Sequence, residues 1–185
     1  VTSDADRNAL LALARAAAEA AVRRRVLPPH PDLPIYSRRA GAFVTVTLAR
    51  ALRGCIGYPP PDRRLGDVVA QCAEGACLRD PRFPAVAVHE LPELRIELSV
   101  LGEFEAVADV ENIDVGLHGL VLERGAHRGL LLPQVATEFG WDRETFLAHV
   151  CAKAGLPQDA WRHGEARLFR FEAEVFGEPV LSVEP

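Results

Sequence analysis

The chain has no apolar run approaching the ~20 residues that a membrane-spanning helix needs. Its alanine-rich opening is interrupted by Arg15 and Glu19, and it lacks the charged start and small-residue cleavage site of a secretion signal. A cytoplasmic protein with no membrane contact is expected. The four cysteines, at 55, 72, 77 and 151, contain no C-x-x-C pair, and none of the six histidines stands at zinc-finger spacing from them, which argues against a structural zinc site. Lysine is almost missing: 20 of the 21 basic residues are arginine, a bias that a genome rich in G and C is enough to produce. There is no internal repeat, heptad run or low-complexity tract. A formal charge of -5 argues against broad nucleic-acid binding, whose affinity comes mainly from neutralising phosphates.

What is present suits an ordinary globular protein: 185 residues, 49% apolar and 25% charged. A chain of this length buries roughly 70% of its unfolded surface, so a core forms without disulfides or metals. Reduced thiols in a reducing compartment fit best. Charge is unevenly spread. Residues 50 to 82 hold six arginines against four acids, whereas residues 85 to 116 hold eight acids against Arg95 alone. The acidic stretch reads as a solvated face or as a docking surface for a basic partner.

Residues 4 to 25 carry Leu10, Leu13, Ala14, Ala17 and Ala21 at helical spacing, with Asp4 as the expected cap. Prolines 28, 29, 31 and 34 then force an extended linker. Residues 43 to 48 alternate with period two as a strand, and a hairpin should return through residues 52 to 57 to the stop at Pro59, Pro60 and Pro61. Leu65, Val68, Val69, Cys72 and Ala76 draw one apolar stripe on a helix that ends before Pro81. Residues 94 to 101 predict a strand, 104 to 107 its extension, and 120 to 123 with 129 to 132 a second hairpin turning near Gly125. Pro133 suits the first turn of a short helix. Asp142 is the expected N-cap of another helix, with Trp141 and Phe146 as its hydrophobic staple and Gly155 closing it. Residues 167 to 175 alternate as a last strand. This order predicts an α+β fold, a mainly antiparallel β-sheet with packed helices.

One run stands out: Leu52, Arg53, Gly54, Cys55, Ile56, Gly57 sets a thiol and a guanidinium two residues apart, with glycines where close backbone approach is permitted. The run resembles the signature of the AMMECR domain family. The likeness continues in order through RDPRFP (79–84), ELPEL (90–94), LSVL (98–101), GLHGL (116–120), LPQVA (132–136), GWD (140–142), Phe146 with Leu147, and KAGL (153–156). It spans roughly residues 8 to 178, departing at Tyr58 and the three prolines after it, where members often have Thr and a more varied loop. The resemblance implies a single AMMECR-type domain over residues 1–185, built of two packed lobes with a cleft near the signature run. It also implies a role as component A of a three-part system with Memo-like and radical-SAM proteins. No settled biochemical activity comes with this kinship, and any cofactor is unknown.

Two chemistries fit the signature region. Cys55 is the candidate nucleophile of a cysteine-dependent enzyme, its thiolate stabilised by a nearby guanidinium. In the other reading Gly54, Cys55 and Gly57 simply pack a tight turn, and the histidines at 30, 89, 118, 127, 149 and 163 show no pairing with Cys55 by spacing. Arg53, Arg79 and Arg82, with Asp80 orienting one of them and Gly54 and Gly57 giving access, form a candidate cradle for an anionic small molecule or partner. Alternatively, Arg79 only stabilises a helix C-terminus while Asp80 and Pro81 make a turn. His118 reads as a hydrogen-bonded spacer in a glycine-rich turn, and no residue set suggests a metal. Trp141 and Trp161 read as staple and core.

Overall fold

Alternation and helical periodicity produce most of the elements where they are expected. The computed structural model describes residues 2–179. Five helices, α1 (Asp4–Val22), α2 (Pro34–Ser37), α3 (Leu65–Leu78), α4 (Pro133–Glu138) and α5 (Arg143–Lys153), accompany seven strands. The strands are β1 (Ala42–Leu48), β2 (Ala51–Tyr58), β3 (Leu94–Leu101), β4 (Glu105–Ala106), β5 (His118–Arg124), β6 (His127–Leu131) and β7 (Arg167–Gly177). The class is α+β, and the strand pairs with a defined register are antiparallel. Among the described residues no helix is long and apolar enough to cross a membrane.

The described chain divides into two compact units, one formed by residues 2–101 together with 174–179, the other by Gly102–Ala173. In the first unit β2, β1 and β3 lie side by side and the end of β7 follows β3, where the Glu178 N–H donates to Ile96 O at 2.9 Å. One sheet face, carrying Val44, Val46, Ile96 and Leu98, packs with α1 and α3 in a common core. In the second unit β6, β5, β7 and β4 pair in that order. There Leu120 and Leu122 pack with Phe146, Leu147 and Val150.

Three local expectations need correction. The cap of α1 is Ser3 in place of Asp4: its hydroxyl accepts the Asp6 N–H while the Asp6 carboxylate accepts the Ser3 N–H, so two N-terminal donors are satisfied reciprocally. That helix ends at Val22, three residues early. Pro34 opens the short helix α2 instead of extending the linker, because a proline at N1 lacks only an N–H that the first turn leaves unused. The Asp142 cap and the Trp141–Phe146 contact are as expected, with the Thr145 N–H donating to Asp142 at 2.8 Å.

Candidate functional site

The β1–β2 hairpin positions Cys55. Its partner across the ladder is Thr45. The Cys55 N–H points away from β1, toward Asp80, which makes this a non-hydrogen-bonded pair in which side chains approach closely. The Thr45 hydroxyl accordingly donates to Cys55 Sγ at 3.3 Å. Cys55 is half-buried, whereas Cys72, Cys77 and Cys151 are buried. Burial pushes the Cys72 and Cys77 thiols up to about 11, and it raises Cys151 as well. Glu97 of β3 stands on the other side of Thr45, so Cys55, Thr45 and Glu97 form one row across the sheet face opposite the helices.

The two glycines of the signature make room for protein atoms. A Cβ on Gly54 would lie 2.0 Å from the Ala76 carbonyl oxygen, so the glycine lets β2 press against α3. A Cβ on Gly57 would lie 2.1 Å from the Phe43 ring, which covers that position.

Register decides what Arg53 does. Val46 pairs with Gly54 and Thr47 with Leu52, leaving Arg53 as the extra residue of a β-bulge. Turned off the ladder, its guanidinium donates from Nε and Nη2 to Glu90 at 2.8 and 3.0 Å, and to the carbonyl oxygens of Pro84 and Ala85 at 2.8 and 3.3 Å. Arg53 holds the Glu90 carboxyl below its ordinary range, aided by the Ala87 N–H.

Asp80 is the junction. Its carboxylate is only 2% exposed and accepts the Cys55 N–H at 2.8 Å, the Arg82 N–H at 3.0 Å, and Arg82 Nε and Nη2 at 3.0 and 2.7 Å. These bonds, the Arg82 guanidinium first, hold its carboxyl well below the usual carboxylate range. The Arg82 side chain is 56% exposed, and among the described residues its Nη1 has no hydrogen-bond partner.

The structure therefore brings Cys55, Asp80 and Arg82 together, and adds Thr45, which sequence reasoning missed. Alternation along residues 43–48 was the available signal for the face Thr45 takes, but its place opposite the thiol follows from the strand register. Arg53 is engaged by Glu90, and Arg79 pairs with Glu74 on its own helix. Each candidate arginine thus already faces a carboxylate. Among the described residues no group of His, Cys, Asp and Glu is arranged to hold a metal ion.

The AMMECR1 family profile matches residues 11–176. A protein of Methanothermobacter thermautotrophicus is 49% identical over 154 residues, covering 80% of each chain. One of Thermococcus gammatolerans is 44% identical over 181 residues, covering 91% of this chain and 88% of the relative. The crystal structure of PH0010 from Pyrococcus horikoshii is similar at a TM-score of 0.88 and 39% identity, covering 96% of this chain and 93% of that one.

Proposed function

The chain belongs to the AMMECR1 family, and on that premise we propose that it is a recognition component. Its working surface is the sheet face and loop around Cys55, Thr45, Asp80 and Arg82, and its target is an anionic small molecule or an acidic segment of a partner protein. Memo-like and radical-SAM proteins are the partners this kinship points to.

The observation that carries the reading is the Asp80 carboxylate, which ties the Cys55 backbone and the Arg82 guanidinium into one network. It supports recognition because it orients one edge of Arg82 and leaves Nη1 for an incoming oxygen. Among the described residues no histidine hydrogen-bonds to Cys55: its sulfur accepts from the Thr45 hydroxyl and its N–H donates to Asp80.

The test combines two measurements. Inorganic phosphate and a panel of phosphorylated and carboxylated metabolites are screened for thermal stabilisation, which a ligand of the folded state produces. The protein is also run in gel filtration with Memo-like and radical-SAM proteins encoded in the same genome. A shift or co-elution lost in Arg82→Ala supports the proposal. The absence of both shift and co-elution, or effects indifferent to Arg82, overturns it.

A second reading has its own observation. The Thr45 hydroxyl donates to Cys55 Sγ, a bond that strengthens when the sulfur is anionic, so Cys55 as the nucleophile of a cysteine-dependent enzyme stays in play. Its check is the alkylation rate described in the Discussion.

A further inference from the structure

The second unit contains a polar pocket that the Cys55 surface does not use. It has a volume of about 340 Å³, at the low end of the range for small-ligand sites, and is lined by Glu103, Glu105, His118, Arg170 and Glu172. The glutamates are exposed and line the pocket together with a histidine that is only 7% exposed.

The tautomer of His118 follows from its partner. Nδ1 accepts the Asp114 N–H at 2.9 Å, so Nδ1 carries no proton and the neutral ring must carry it on Nε2. A metal at Nε2 would require the proton on Nδ1, where the Asp114 N–H already points, so this imidazole is a donor and not a metal ligand. Nε2 has no hydrogen-bond partner among the described residues, and it is not sealed from the pocket that the ring lines. A ring donor with no protein partner beside a pocket suits an acceptor oxygen of a ligand there.

The charges around it select the rest of the ligand. Arg170 donates from Nε and Nη2 to Glu105 at 3.1 and 2.9 Å, and from Nη1 to the Asn112 carbonyl, which neutralises Glu105. Glu172 stands directly across the ladder from His118. Glu172 and Glu103 thus leave the pocket negative, which repels a free anion and attracts a cation.

We propose that this pocket binds a group carrying a cationic nitrogen a few bonds from a carbonyl oxygen. The oxygen accepts from His118 Nε2–H and the cation sits between Glu103 and Glu172. A basic residue of a peptide and a free basic amino-acid amide share this chemistry.

The experiment uses the full chain labelled with nitrogen-15. Long-range proton–nitrogen correlation reads the His118 tautomer, and titrations follow amide shifts with three probes: Nα-acetyl-lysine N-methylamide, L-lysinamide, and Nα-acetyl-norleucine N-methylamide as the uncharged control. The expected result is a proton on Nε2, and binding of a lysine probe that shifts the His118 ring and weakens about five- to tenfold in Glu103→Gln and in Glu172→Gln. Binding of the acetylated probe assigns the pocket to a residue within a peptide, and binding of L-lysinamide alone to a free amine. Glu103 lies outside the strands and is exposed, so its variant tests the charge even if Glu172→Gln fails to fold. A proton on Nδ1, no binding by either lysine probe, equal binding of the norleucine control, or affinities unchanged in the variants would overturn the proposal. Every readout lies in the second unit, so its failure leaves the Cys55 reading untouched.

Discussion

The Cys55 N–H donates to the buried Asp80 carboxylate at 2.8 Å, so an outward-pointing group of the outermost strand β2 is answered by the loop that follows α3. An edge strand presents unpaired backbone groups, and here a side chain from a separate segment takes one of them. The same carboxylate grips Arg82.

Replacing that acceptor is therefore costly. Asp80→Asn keeps the shape but loses the charge and the pairing with Arg82, and it should destabilise the fold by about 1–3 kcal/mol. For a chain of this size that corresponds to a fall in Tm of several degrees, on the order of 2–4 °C per kcal/mol. A melting curve within one degree of the parent would show that the network contributes little.

Acid stability should depend on the same residues. Asp80 and Glu90 both have carboxyl groups depressed below their ordinary values by arginine partners and backbone N–H donors. Groups of this kind stabilise the fold above the unfolded carboxylate range, about pH 4, and lose that contribution as pH falls through their folded values. Chemical denaturation at stepped pH should show stability declining below about pH 4. Asp80→Asn should flatten part of that decline, and an unchanged slope would contradict the assignment.

The thiols should separate by rate. In the native protein iodoacetamide should label Cys55 first, because Cys72, Cys77 and Cys151 are buried and need unfolding to react. Peptide mapping by mass spectrometry reads the order. Thr45→Val removes the hydroxyl that donates to Sγ and should slow Cys55 labelling about three- to tenfold near neutral pH, as loss of one hydrogen bond to a thiolate implies. Labelling indifferent to Thr45, or no faster than that of the buried thiols, would remove the nucleophile reading.

The signature glycines should differ in tolerance. In Gly54→Ala the new methyl meets a backbone carbonyl that cannot move alone, and a loss above about 3 kcal/mol is expected. In Gly57→Ala it meets the half-buried Phe43 ring, which can swing aside, so a loss of about 1–2 kcal/mol is expected. Phe43→Ala should make Gly57→Ala nearly neutral, and additivity in that double-mutant cycle would refute the contact.

Much of the fold was legible because periodicity is local. The stripe from Leu65 to Ala76, the alternation of residues 43–48, and Asp142 with Trp141 and Phe146 each announce an element within one window of sequence, and the motif series from 52 to 156 announced the family. Near neighbours in the chain also marked Cys55, Asp80 and Arg82 as site candidates.

What the amino-acid order could determine alone was most of the elements, though not α2, and the kinship, since both are written in residues close together or in a fixed succession. Tertiary structure decided the partners. Strand pairing put Thr45 opposite Cys55, a bulge turned Arg53 toward Glu90, and loop packing gave the Arg82 guanidinium and the Cys55 N–H to one carboxylate. The reason is physical: a hydrogen bond depends on distance and direction within a few tenths of an ångström, and that precision arises only when segments far apart in sequence are packed against each other.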